Sequence, residues 1–307
     1  MKTILLDYKK PTERFDALSI CLGYFDGVHL GHQALIKYAR KNAKYILGLL
    51  TFSKPISTLV DNGKSKEVLT SLDDRFKIIS KLGVDYYFVT KVDKEFTKLS
   101  DLDFIEMLKK MHVKEIFVGK DFRYGAKAAG TISTLKDYFD VEVIDIENVD
   151  GEKVSTQRID NLLLEGDIKK ANDLLGHNYS VVGTIVEGLH IGTEIGFPTL
   201  NLKLVDNYVL PRFGVYKTIC YVDNVPHVAI ANVGVKPTVL DNAKPGIEVH
   251  LKDFKGNVQG DVIILEFLKF VRPEIKFSSK EELKVQIEED VREVFWWYTV
   301  NTSINIT

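Results

Sequence analysis

From residue 18 to about residue 150, short runs of β-branched and aromatic residues alternate with segments whose apolar positions recur every three or four residues. The runs LSICLG, YILGLLTF, DYYFVTKV, EIFVGK and VEVIDI read as strands. Two of the intervening segments have recognisable helix starts. Ser71 precedes LDDRFKIISKLG and Ser100 precedes DLDFIEMLKKMH, each offering a side-chain oxygen to an orphan helical N–H. Gly83 stands where a glycine would close the first of these helices. Strands alternating with helices predict a doubly wound α/β domain with a parallel sheet. Ligands of such sheets collect where the carboxyl ends of the strands meet the following loops.

Helical spacing returns between Gln157 and Leu175, through Ile159, Leu162, Leu163, Ile168, Ala171, Leu174 and Leu175. Gly176 ends this stretch, and the internal Gly166 is placed to split it in two. After His177 the texture changes to closely spaced strands: YSVVGTIVEG, FPTLNLKL, GVYKTICYV, VPHVAIANVG, GIEVHLKDF and VIILEFLKFV. With Gly, Asn, Asp and Pro between them, they predict a small antiparallel β-barrel. In the final segment, SSKEELKVQIEEDVREVFWWYTV, one stripe carries Leu283, Ile287, Val291, Val294 and Phe295, so the helix should pack on that barrel. The expected organisation is an α/β domain with helical connector over 1–176, then the barrel and terminal helix over 177–307.

The length of 307 residues suits about two domains, each with its own core. Hydrophobic residues at 45% and charged residues at 27% exclude a disordered or fibrous chain. Lys and Arg total 41 against 43 Asp and Glu, a formal charge of -2. No global field therefore draws the chain to nucleic acid or an anionic membrane, and any polyanion must be gripped locally. The expected partners are small molecules, with the chain a monomer or weak homo-oligomer. Cys21 and Cys220 are too few and too far apart for a disulfide framework, which points to a reducing, cytoplasmic setting. Asp7, Lys9, Lys10 and Pro11 interrupt the first apolar run, unlike a secretory leader. The longest apolar stretches reach about half a membrane span or less.

The sharpest chemical signal is GYFDGVHLGH, residues 23–32, between the first strand of this alternating region and the first long helix. Gly23, Gly27 and Gly31 permit close backbone approach to a ligand, and a helix N-terminus favours phosphate. His29 and His32, three apart, can face one substrate. Such a pair also occurs as ordinary core or surface histidines, or as half of a zinc site, although further Cys or His ligands are not evident. IFVGKDFRYG, residues 116–125, places Asp121 and Arg123 at a strand's carboxyl end or in a solvated loop. KVSTQRID, residues 153–160, sets Ser155, Thr156 and Arg158 at a helix start, where simple capping is the alternative. In GTEIGFPTLNL, residues 192–202, Gly192 and Gly196 flank a loop, and Thr199 and Asn201 lie two apart. On a strand their oxygens share a face and could help hold Mg²⁺ between phosphates; a turn into an edge strand at Pro198 is the plainer reading.

Taken together, the first-half elements resemble the FMN adenylyltransferase module of bacterial FAD synthetases, with its Gly-x-Phe-Asp-Gly-x-His-x-Gly-His signature. The resemblance implies that His29 and His32 contact ATP phosphates and stabilise charge at the α-phosphorus. It further implies ATP contacts at Gly23, Phe25, Asp26, Gly31, Asp121, Ser155, Thr156 and Arg158. Two departures stand out. TFSKPIS, residues 51–57, keeps only Pro55 of the family's Pro-His-Pro element. Residues 154–158 run Val-Ser-Thr-Gln-Arg where relatives carry Ser-Ser-Thr-x-x-Arg.

The second half resembles riboflavin kinase, through Gly-Phe-Pro-Thr-x-Asn followed in order by GVY at 214–216, NVGVKPT at 232–238, IEVHLKDF at 247–254, VRPEIKF at 271–277 and EELKVQIEEDV at 281–291. This resemblance implies Glu248 as general base toward the ribityl hydroxyl. ATP and Mg²⁺ would sit at Gly192, Gly196, Pro198, Thr199 and Asn201, and flavin contacts would come from Gly214, Tyr216 and Arg272. Thr193 stands where relatives often have Arg. The whole pattern resembles a bifunctional enzyme making FMN from riboflavin and ATP, then FAD from FMN and a second ATP, with Mg²⁺ in both steps.

Overall fold

The computed structural model describes residues 1–11, 15–56, 66–145, 148–149, 152–187, 194, 196–235, 245–252, 254, 256 and 258–302, with backbone alone for 148–149 and 296–302. The chain divides into two compact units, Met1–Thr156 and Gln157–Thr307.

The first unit runs β1 (Lys2–Leu6), β2 (Leu18–Leu22), α1 (Leu30–Asn42), β3 (Ile46–Phe52), α2 (Leu72–Ser80), β4 (Tyr86–Thr90), α3 (Asp101–Lys110), β5 (Val113–Gly119), α4 (Ile132–Lys136) and β6 (Asp140–Ile144). A two-residue antiparallel pair follows, β7 (Asn148–Val149) with β8 (Glu152–Lys153). The six-stranded sheet has the order β1-β4-β3-β2-β5-β6 and every pairing is parallel. From β2 the chain winds outward through β3 and β4, then returns to β5 on the other side of β2. The crevice at the carboxyl ends of β2 and β5 is therefore the topological switch point.

Helices cover both faces, as the alternating pattern predicts. Leu35, Ile36 and Ile79 of α1 and α2 pack on Cys21, Leu49 and Phe117. Phe104, Leu108 and Leu135 of α3 and α4 pack on Ile20, Ile116 and Val118. The Ser71 hydroxyl accepts from the Asp74 N–H at 3.1 Å, and the Ser100 hydroxyl from the Asp103 N–H at 3.1 Å, so both expected caps form. Gly83 turns with φ of 81° just after α2. Strand β1 was not anticipated; only Ile4 and Leu6 of its five residues are buried, and it joins the sheet at an edge beside β4.

In the second unit, α5 (Thr156–Glu165) and α6 (Ile168–Leu175) are separated at Gly166, whose φ is 85°. α6 and all but the first residue of α5 belong to the same compact unit as the barrel. Asn172 of α6 donates to the Phe267 carbonyl at 2.9 Å and accepts from the Tyr179 N–H at 2.7 Å. Strands β9 (Ser180–Val186), β10 (Thr199–Leu204), β11 (Gly214–Val222), β12 (Val225–Val235), β13 (Pro245–Leu251) and β14 (Val262–Pro273) close an antiparallel barrel in the order β10-β13-β12-β11-β14-β9. Period-two alternation fills its interior with Tyr216, Thr218, Cys220, Ala231, Val249 and Phe267, all fully buried. On the outer face, Val215 and Ile230 meet Val291, Val294 and Phe295 of α7 (Lys280–Thr302). Among the described residues no helix is long and apolar enough to cross a membrane.

Candidate active sites

At the end of β2 the backbone winds through a tight turn. Phe25 has φ of 57°, Gly27 of 70° and the β-branched Val28 of 40°, conformations that L residues adopt only when their surroundings impose them. Those surroundings are non-local. The buried Asp26 carboxylate accepts from the N–H groups of Leu69 and Thr70 and from the Thr70 hydroxyl at 3.0–3.1 Å. The Gly27 N–H donates to the Thr70 hydroxyl at 2.9 Å. Burial raises the pKa of Asp26, and those donors with Arg75 oppose the rise. Asp26 thus ties the turn to the segment before α2 and fixes its shape.

His29 is the N-cap of α1, its Nδ1 accepting from the His32 N–H at 3.3 Å. That bond leaves Nε2 to carry the proton of the neutral ring. The two imidazoles stack with centroids 3.7 Å apart and planes 15° off parallel, and the Phe25 ring meets His32 edge-on at 5.2 Å. Burial pushes the His29 pKa down to about 4, with the Lys153 charge acting in the same direction. His32 is also well below the ordinary value, through burial and then the nearby His29 and Arg75. At neutral pH the pair consists of uncharged hydrogen-bond donors.

A cleft of about 150 Å³ opens here at the switch point, lined by Gly23, Phe25, His32, Gly119, Asp121 and Lys153 among others. Asp121 is exposed and ion-paired with Lys153 across the cleft wall. Gly31 is buried in the first turn of α1. Gly23 lacks the Cβ that would meet the Phe25 ring at 3.0 Å. Ser155 and Thr156 stand at the start of α5, half-buried, with Arg158 in its first turn.

Beside this cleft lies a larger cavity of about 330 Å³ that the sequence reading missed. Phe52, Phe96, Phe104, Phe122 and Tyr124 line it, and Phe122 also lines the first cleft. The Phe122 and Tyr124 rings are nearly parallel, their planes 17° apart and centroids 6.1 Å apart. The local hint was the aromatic alternation in DFRYG; the other rings arrive from the end of β3 (Phe52), the short helical turn at Phe96 and α3 (Phe104).

In the barrel, strand register brings the expected polar residues together. Asn201 of β10 lies opposite Glu248 of β13, which lies opposite Asn232 of β12; Thr199 lies opposite His250. Opposed residues share a face, and here it is the outer one, since Ile247, Val249 and Ala231 take the interior. Asn201 is buried and Glu248 half-buried. The turn before β10 is tied down where His250 Nδ1 meets the Pro198 carbonyl at 2.9 Å. Gly196 has φ of 91°, a conformation that suits glycine. Gly192 and Thr193 lie outside the described residues.

The three residues expected to touch flavin each have partners within the second unit. A Cβ at Gly214 would lie 2.3 Å from the Arg272 carbonyl, so this glycine admits β14. Tyr216 points into the barrel, its hydroxyl donating to the Arg212 carbonyl. Arg272 grips Asp290 of α7 through Nε and Nη2, at 2.8 and 2.7 Å.

These sites fall in regions with known counterparts. Residues 12–160 match the FAD synthetase family model and residues 175–297 the riboflavin kinase family model. The bifunctional riboflavin kinase/FMN adenylyltransferase of Listeria monocytogenes is 35% identical over 94% of this chain and 96% of its own. That of Bacillus subtilis is 35% identical over 91% of this chain and 92% of its own. A crystal structure named as a macrolide-efflux protein from Streptococcus pneumoniae superposes with a TM-score of 0.85 at 28% identity, covering 95% of this chain and 98% of that one. With both family models matched in order and relatives aligned along nearly their whole length, this chain belongs to the bifunctional riboflavin kinase/FMN adenylyltransferase family.

Proposed function

We propose that this chain phosphorylates riboflavin with ATP in the barrel unit, giving FMN, and adenylylates FMN with a second ATP in the α/β unit, giving FAD and pyrophosphate. The observation that carries the second step is the pair of adjoining cavities sharing Phe122. Adenylyl transfer must hold a triphosphate and a flat, largely apolar acceptor side by side. The glycine-lined cleft at the switch point suits the nucleotide, and the aromatic cavity suits the flavin ring system. His29 Nε2–H and His32 would donate to phosphate oxygens, stabilising charge as the FMN phosphate attacks the α-phosphorus and pyrophosphate leaves. Lys153 and Asp121 would border the phosphates.

In the kinase step Glu248 would take the proton of the ribityl hydroxyl as that oxygen attacks the γ-phosphorus, the bond to the β–γ bridging oxygen breaks and ADP leaves. Thr199 and Asn201 offer neutral oxygen donors on the same face, suited to a hard cation. Among the described residues no group of three or more His, Cys, Asp or Glu side chains could hold a metal. The Mg²⁺ assigned here would accordingly be held jointly with the nucleotide's own phosphates, whose charge it neutralises.

The test is incubation with riboflavin, ATP and Mg²⁺ followed by chromatographic separation of flavins. FMN appearing first and FAD following is the expected course. Strong FMN with no FAD at any enzyme concentration would remove the adenylylation half. FMN binding without ATP consumption would replace both halves with a flavin-binding role.

A further inference from the structure

Arg75, on α2, is among the most deeply buried large side chains of the molecule, 2% exposed. Burying a guanidinium is costly unless its charge and donors are used. Its Nη1 donates to the Tyr24 carbonyl at 2.8 Å, to the Thr51 hydroxyl at 3.2 Å and to the Phe52 carbonyl at 3.4 Å. Its plane lies 4.5 Å from the centre of the Tyr24 ring. The Thr51 hydroxyl in turn donates to the Tyr24 carbonyl at 2.8 Å. One side chain thus gathers the residue that opens the Phe25–His29 turn and the last two residues of β3.

Each of these acceptors is a neutral oxygen, so the hydrogen bonds leave the positive charge undischarged. The carboxylate that senses Arg75, Asp26, is committed to Leu69 and Thr70. His32 also senses the charge. A fixed cation therefore lies beneath the turn that presents both histidines, in a molecule with no global positive field.

We propose that Arg75 is a positioning residue for adenylyl transfer: from below the sheet's carboxyl edge it locks the end of β3 to the strained turn carrying His29 and His32. The inference rests on the adenylyl-transfer reading of the α/β unit. A lysine does not reproduce this arrangement: the planar guanidinium lies over the Tyr24 ring while one of its nitrogens, Nη1, reaches three oxygens, whereas a compact, strongly hydrated ammonium cannot lie flat on the ring.

The experiment compares Arg75→Lys, Arg75→Met and Thr51→Val with the unaltered full-length chain, measuring FAD formation from FMN, FMN formation from riboflavin, and thermal melting. Misplacing a reacting group by about 1 Å costs on the order of 100-fold, so both Arg75 variants should lose roughly that in kcat for FAD formation. The KM for ATP should change far less than kcat, and FMN formation should stay within about twofold, since chemistry in the barrel uses none of these residues. Thr51→Val removes one acceptor and its link to Tyr24 at nearly constant volume, and should cost about tenfold. Arg75→Lys folded like the parent and forming FAD at the parental rate overturns the proposal. So does unaltered FAD formation by a folded Thr51→Val, which decides the matter if the Arg75 variants do not fold. Failure of the unaltered chain to make FAD would instead sink the function itself, along with the inference.

Discussion

His29 caps α1 through Nδ1, which leaves Nε2 to carry the proton that the proposed adenylyl transfer would use. Its pKa, about 4 in the fold against 6.5 for an ordinary histidine, makes the fold sensitive to acid. The sign follows from proton counting. Between those two values the unfolded chain binds a proton at this position and the folded chain does not. The stabilisation is thus present above pH 6.5 and is lost as pH falls toward 4, to a total of about 3 kcal/mol from this residue. His32 is shifted in the same direction and steepens the loss. Urea titrations across this range should show stability falling with acid, and His29→Asn should flatten the slope. Asparagine is a good N-cap, so that variant should hold its stability at pH 7.5 while FAD formation drops by about 100-fold or more with the lost donor. A parental rate of FAD formation in His29→Asn would refute the catalytic assignment. The three-residue spacing of these histidines, and the glycines around them, could be read directly from the chain. Their supports could not: Asp26 reaches Thr70 and Arg75 reaches Tyr24 across 44 and 51 positions, pairings that no local pattern encodes.

Elements are where the sequence speaks most plainly, because period and capping are local. Ser71 and Ser100 announce α2 and α3, Gly166 separates α5 from α6, and the alternation of β11, β13 and the first half of β14 matches strands that bury every second residue in a barrel. Strand β1 escapes because five residues with two buried positions cannot be told from a loop. The attachment of α7 shows the same limit. Its apolar stripe predicts which side meets the barrel, but not that Arg272 at the end of β14 would hold Asp290 in a bidentate pair, with Gln286 adding a donor at 3.3 Å. Asp290 is 4% exposed, so removing it strands a largely buried cation. Asp290→Ala should cost about 3–5 kcal/mol, read as a lower melting temperature of the barrel. Arg272→Met with Asp290→Leu should recover most of that loss, because the pair then loses both charges and keeps its volume. A double variant as unstable as Asp290→Ala would show that the pair has some other role.

For the whole molecule, the decisive feature is that each compact unit carries its own core and its own candidate site. The net charge is -2, so the proposed sites would rest on local devices instead of bulk charge, the buried histidines in one unit and the opposed Asn201 and Glu248 in the other. The two reactions should therefore be separable by a single change. Glu248→Gln keeps the shape and removes the base, and general-base catalysis contributes about 100- to 10,000-fold. FMN formation from riboflavin should fall by that factor, while FMN supplied directly should still become FAD at the parental rate. Given riboflavin alone, the variant should accumulate neither product, and added FMN should restore FAD. If both activities fell together with the fold intact, the two steps would have to share catalytic groups. Register argues against that outcome, because Glu248 is fixed on the outer face of a closed barrel by its pairing with Asn201 and Asn232, a constraint set within the second unit alone.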